Sequence, residues 1–304
     1  MNKLNIEHAA ARAKSIVGGV GVLALAIALG MPSRAFAQAP FNTAEAAADA
    51  LIDAVASSDV AAMPRLLGKN WRQLLPIDSI ERDKVYAFLE KASQARKVTV
   101  SGARAELAVG SDPWTLPIPL LQGKDGQWRF DPVGGQQLIA ERRIGANERA
   151  AMRATLAYVD AQREYATADR NGDGVLEYAQ KLISSPGKRD GLIWSPVLGD
   201  ESPLGEAYQP AKPGEGYHGY HYKILTGQGP KADGGARSYL IGKRMTAGFA
   251  LLAWPVKYGT TGVTSFMVNS DGDLFERDLG PQTPQLARAL TQFNPDDAWQ
   301  RVQP

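Results

Sequence analysis

The 304-residue sequence predicts an α+β protein of two units: a small one that puts helices before an antiparallel sheet, and a larger one led by a long helix. Three observations carry this. Helical apolar spacing runs over residues 42–57 and strand alternation over 97–130. A second long helical pattern then begins near Gln136, and strand segments follow from Gly219 onward, after a loop-rich stretch with glycine and proline.

The opening residues are read separately from the fold. Lys3, Arg12 and Lys14 give a positive start, Ile16 to Met31 carry no charge, and Ala35-Phe36-Ala37 is a small-x-small exit. These are the three parts of a secretory signal, with cleavage expected after Ala37 and residues 1–37 removed. The apolar run is shorter than the roughly 20 residues a bilayer span needs. No cysteine follows it to take a lipid, so no membrane anchor is expected after cleavage. The expected compartment is the periplasm or the exterior, reached by Sec-type export.

Removing Lys3, Arg12, Lys14 and Arg34 together with Glu7 from 34 basic and 32 acidic residues leaves 30 against 31. A nucleic-acid or membrane-surface partner needs a net or clustered positive field, and that argument disappears with the leader. Cysteine is absent, which excludes disulfides and thiol nucleophiles and leaves apolar burial to stabilise the fold.

In the small unit, expected at 41–133, Asn42 or Thr43 caps a helix whose stripe includes Leu51, Ile52 and Val55. Asp59 starts a short helix through Leu67. Asp78 with Glu81 forms a capping-box start for a third, with Val85, Phe88, Leu89 and Ala92 on one side. Strands are expected at Lys97–Ser101, Ala105–Val109, Trp114–Leu121 and Gln127–Phe130. Pro117 and Pro119 cannot donate to a ladder, which assigns the third to an edge. In order of elements this unit is similar to NTF2-like or cystatin-like domains.

The larger unit, expected at 136–295, starts with a helix towards Thr167 that Gly145 can break, Asn147 then capping its second part. A loop-rich stretch spans Asp169 to Gly216. Strands follow at Gly219–Leu225, Gly248–Trp254, Val263–Val268 and Leu274–Arg277, the last two joined by an Asn269–Gly272 turn, and a helix closes at Pro284–Phe293.

Several stretches of this half resemble the DUF2950 family of exported bacterial proteins. They are Leu156-Ala-Tyr-Val-Asp-Ala-Gln-Arg-Glu-Tyr-Ala166, Asp169-Arg-Asn-Gly-Asp-Gly-Val-Leu-Glu-Tyr-Ala-Gln180, Ser185-Pro-Gly-Lys-Arg-Asp-Gly-Leu192, Tyr217-His-Gly-Tyr-His-Tyr-Lys-Ile-Leu225 and Gly248-Phe-Ala-Leu-Leu-Ala-Trp-Pro-Val-Lys-Tyr-Gly259. The resemblance implies export and assigns no activity. Gly219-Tyr220, Phe249–Pro255 and Ser265–Asn269 are also similar to the sheet of pilins and pseudopilins. A pilin's helix, however, begins with its own membrane segment, and here the helix follows a whole unit.

Two groups of residues could form sites. Asp169, Asn171 and Asp173, with Gly174 sixth, match the start of an EF-hand loop; Val175 would add a carbonyl and Glu177 or water would close a calcium shell. Gln180 stands where that loop has its bidentate glutamate, and the bland alternative is a turn that needs no metal. The second group is Tyr217, His218, Tyr220, His221 and Trp194, candidates for a ligand groove. Two histidines three apart on a strand face opposite ways and cannot share a metal as a helical pair does. Ser195 and Ser202 lack a nucleophile-elbow context, and no phosphate-cradling loop, HExxH or CxxC occurs. The expected function is a non-enzymatic binding or scaffolding module of the cell envelope with an unknown ligand or protein partner. The alternatives are a periplasmic hydrolase of glycan or peptide, and an accessory of a pilus or secretion machine.

Overall fold

The computed structural model describes residues 38–75, 82–205, 214 and 216–302. The export signal with its cleavage after Ala37, and the Asp78/Glu81 helix start, lie outside the described residues. Helices and antiparallel sheets make up the fold, as the α+β pattern predicts.

The first core begins with α1 (Ala44–Ala56). Thr43 caps it by accepting from Ala46 N–H at 3.1 Å, and Ala44, Ala47, Ala48 and Leu51 are buried at the spacing of one helix face. Short helices α2 (Met63–Leu67) and α3 (Trp71–Leu74) add Leu66, Leu67, Trp71 and Leu74, and α4 (Arg82–Gln94) closes over the sheet. The strands are β1 (Arg96–Ser101), β2 (Arg104–Val109), β3 (Trp114–Thr115), β4 (Leu120–Gln122) and β5 (Trp128–Phe130), in the order β1-β2-β4-β5 with β3 also on β2. The single edge strand expected over Trp114–Leu121 is thus two pieces, with β4 inside the sheet. Pro117 and Pro119 explain the gap, because neither carries an N–H to continue the ladder.

Helix α5 (Pro132–Tyr165) is 34 residues long and joins the two cores. It starts four residues earlier than the sequence suggests. Asp131 accepts from Val133 and Gly134 N–H at 3.1 and 3.0 Å, and Pro132 takes the first helical position, where a missing donor costs nothing. Gly145 does not break it. Asn147, expected as a second cap, instead donates from its amide to Thr261 O at 2.8 Å.

The second core is built on a five-stranded antiparallel sheet. Its strands are β6 (Tyr220–Leu225), β11 (Ala250–Pro255), β12 (Thr264–Asn269), β13 (Leu274–Asp278) and β14 (Gln300–Val302), in the order β14-β13-β12-β11-β6. Two small hairpin pairs lie between β6 and β11 in sequence: β7 (Gly227–Gln228) with β8 (Arg237–Ser238), and β9 (Leu240–Ile241) with β10 (Arg244–Met245). All six residues of β11 are buried, so it shows no alternation. It is covered on both faces, by α5 on one and by α6 (Thr283–Ala289) on the other. Lys223 on β6 marks the α6 face, donating to Arg288 O and Leu290 O at 2.8 and 2.7 Å, where a cation meets the helix C-terminus. The α5 face is tied at its start by Glu148, which accepts from Val263 and Thr264 N–H at 2.9 and 3.0 Å. No helix among the described residues is long and apolar enough to cross a membrane.

Candidate ligand pocket

A cavity of about 170 Å³ opens beside β6, the terminal strand of the second sheet, on the face covered by α5. Its wall is Ala154 and Tyr158 of α5, Leu251 of β11, Leu182, Ile183, Ile193 and Leu204 of the long loop, and Gly216, Tyr217, Tyr220, His221 and Tyr222. Strand alternation puts Tyr220 and Tyr222 on this face beside Leu251. The same alternation turns the His221 ring the other way, against Trp254 at 5.4 Å between centroids.

Three tyrosine hydroxyls in this wall meet partners within the protein. The Tyr220 hydroxyl donates to Thr264 O at 2.8 Å, and the Tyr222 hydroxyl approaches Tyr217 O at 3.4 Å. The Tyr158 hydroxyl approaches Ala250 O at 3.4 Å and accepts from Gln162 Nε2 at 2.9 Å. Burial raises the Tyr158 and Tyr220 pKa values far above the ordinary phenol, so both stay neutral. Burial, helped by Arg288, lowers the His221 pKa below its usual value, so that ring is neutral near pH 7. Among the described residues the wall therefore offers mostly hydrocarbon surface and no charged side chain. An apolar cavity of this size accommodates one aromatic ring or a branched aliphatic group.

Of the predicted groove residues, the structure brings Tyr217 and Tyr220 to the cavity, while His221 lies in its wall with its ring turned to the opposite face. His218 sits in the turn joining Tyr217 to Tyr220, with positive φ (50°) and its ring 4.2 Å from that of Tyr217. The histidines are thus not both on a strand. Trp194 lies outside the wall: its indole N–H donates to Asp200 O at 2.9 Å and its ring meets Tyr165 and the Arg170 guanidinium. The described hydrogen bonds join neither histidine ring to a serine or a carboxylate.

The sequence reading missed Leu182, Ile183, Ile193 and Leu204. The signal was present: branched residues on both sides of Ser184–Gly191 are too apolar for a solvated loop. They pair through an Ile183–Ile193 bridge, and a polar clamp holds the turn between them. Lys181 Nζ donates to Asp190 Oδ2 at 2.6 Å and to Ser185 Oγ at 2.8 Å, and Asp190 also accepts from the Ser185 N–H and hydroxyl. Burial pushes the Asp190 pKa up, but these donors outweigh it and hold it at about 2. The Lys181 ammonium is spent on this ion pair, so the cluster fastens the loop rather than activating Ser185.

The loop of Asp169, Asn171, Asp173, Val175 and Glu177 lies elsewhere, after the end of α5. Asp169 accepts from the N–H groups of Gly172, Asp173 and Gly174 at 2.7, 3.2 and 2.8 Å, engaging both oxygens. The Gly174 N–H is the largest reason its pKa falls below the usual carboxylate range. Asp173 accepts from Val175 N–H with one oxygen and pairs with Arg244 at 2.8 Å through the other. Asn171 accepts from Asp173 N–H and donates to Glu177. Burial raises the Glu177 pKa, and Asp173 adds to the rise. This is an Asx turn: the Asp169 and Asn171 oxygens and one Asp173 oxygen meet the loop's own N–H groups. The other Asp173 oxygen meets Arg244, and Glu177 Oε2 is buried without a described partner. Among the described residues no group of three or more His, Cys, Asp or Glu is placed to hold a metal ion.

Fold and pocket together define an α+β protein with two apolar cores and a small hydrophobic recess at a sheet edge. The family described as "Protein of unknown function (DUF2950)" matches residues 38–302, across both cores, and the chain belongs to it. No curated protein and no solved structure matches the chain significantly.

Proposed function

We propose that this chain is an exported, non-enzymatic binding module, and that the pocket beside β6 receives an uncharged apolar group of its ligand, one ring or one branched aliphatic unit in size. The observation that supports this reading is the wall itself: aliphatic and aromatic surface in which the Tyr158, Tyr220 and Tyr222 hydroxyls meet partners within the protein. Such a surface recognises by shape and desolvation and presents no nucleophile with a neighbouring base. The charged start, short apolar core and small-residue exit of residues 1–37 support export.

Two experiments test the proposal. The N-terminus of the protein recovered from the periplasm should be Gln38; recovery of the full-length chain from the cytoplasm alone would overturn export. p-Cresol, a neutral one-ring probe, should bind the mature chain with a roughly sub-millimolar Kd. Ala154→Leu, which fills the cavity from α5, should abolish that binding. Equal binding by the variant would remove the pocket from the proposal.

A further inference from the structure

Helix α5 contains three glycines, at positions 134, 135 and 145, and the fold demands only the first two. A Cβ at Gly134 would collide with the capping Asp131 carboxylate. A Cβ at Gly135 would press on Leu74, Ile118 and the Pro117 carbonyl at 3.2–3.4 Å. At Gly145 the nearest atom would be the Arg149 guanidinium at 3.4 Å, the far end of a flexible side chain. The residue lies within a regular helix, where glycine costs roughly 1 kcal/mol relative to alanine. Neither packing nor backbone conformation accounts for it.

Its position supplies a reason. The anchors of α5 divide on either side of it. Towards the first core, Gln136 donates to Gln73 at 2.9 Å, Ile139 packs on the core, and Arg142 donates to Thr115 O at 2.6 Å while lying over the Trp114 ring. Towards the second, Asn147 and Glu148 bind Thr261, Val263 and Thr264, and Ala151 is the first helix residue buried in that core. Arg143, Ile144, Gly145 and Ala146, about one turn, hold neither side by a described bond. No described hydrogen bond or ion pair joins residues 38–131 directly to residues 147–302. Among the stronger contacts between elements, α5 is the one element that reaches both cores.

We infer that the turn at 143–146 is a hinge: the two cores move as units about Gly145, and α5 bends there without unfolding. Helix bends concentrate at glycine, and hinge motions are absorbed by a few residues between packed bodies.

The cysteine-free sequence makes the test direct. Thr99→Cys on β1 and Gln285→Cys on α6, both exposed, place one spin label on each unit. Pulsed electron resonance on the mature protein should give a broad distance distribution. Gly145→Ala, which favours the helix and leaves every anchor in place, should narrow it. Arg142→Ala, which frees one more turn on the first-core side, should widen it. Identical distributions in wild type and Gly145→Ala would overturn the inference, as would no widening in Arg142→Ala.

Discussion

The oxygen-rich loop at 169–177 and the aromatic segment at 217–222 looked like comparable candidate sites, and the structure treats them in opposite ways. The loop engages most of its acceptors, since both Asp169 oxygens, the Asn171 carbonyl and both Asp173 oxygens meet backbone N–H groups or Arg244. The recess it borders with Lys243 and Arg244 is polar, with Glu177 Oε2 buried and without a described partner. The aromatic segment keeps a recess open between its strand, α5 and the clamped loop. Spacing tells which atoms can share a region, whereas lone-pair direction decides whether they face a ligand or their own chain. An alternating run of Asp and Asn serves an Asx turn and a cation shell equally well until the backbone is known.

The largest expected effect tests the bond network that fastens α5 to the chain just after the oxygen-rich loop. Gln162 is fully buried; it accepts from Ala179 N–H, donates to Ala179 O and donates to the pocket residue Tyr158. Gln162→Ala leaves those partners without bonds in a cavity and should cost about 3–4 kcal/mol in urea unfolding. A cost under about 1 kcal/mol would show that this side chain does not fasten α5 to Ala179. Ala154→Leu should come next, at about 1 kcal/mol, because the added methyls enter existing space rather than a filled core. A loss of several kcal/mol would mean that the recess is too tight for a ring.

Acid titration sharpens the contrast inside the loop. The Asp169 pKa is lowered by folding, so its contribution is present above the unfolded value and disappears as pH falls through the folded one. Glu177 is raised by folding and behaves inversely, its charged form costing stability as pH rises through its folded value. Asp169→Asn should therefore flatten the acid limb of Tm against pH, and Glu177→Gln should raise Tm slightly at neutral pH. Matching profiles for the two variants would contradict the closed turn. Asp190→Asn should also flatten the acid limb, but between about pH 4 and pH 2, since folding holds that carboxyl at about 2.

The elements most legible in the sequence were those whose burial is one-sided. Helix α1 shows a clean apolar stripe, and β2 alternates buried with half-exposed positions. Strand β11, expected at Gly248–Trp254, is buried along its whole length, as a strand covered on both faces must be. Strand β14 and the β7–β10 hairpins went unread, because strands of two or three residues carry too little period. Gly145 misled because helix propensity is a weak prior, overridden by anchors on both sides. Part of the pocket was legible through Tyr217 and Tyr220. Leu182, Ile183, Ile193 and Leu204 come from a loop that only tertiary pairing at Ile183 and Ile193 brings to the strand.

The account rests on the recess beside β6, and not the Asp169–Glu177 loop, being where this protein meets its ligand. Amide NMR of the mature chain, titrated separately with p-cresol and with calcium chloride, tests this most directly. p-Cresol should move the resonances of Leu182, Ile193 and Leu251 in wild type and in Asp173→Ala, and leave them unmoved in Ala154→Leu. Saturable calcium shifts at Asp169, Asn171 and Asp173 that vanish in Asp173→Ala, with no response to p-cresol, would contradict it.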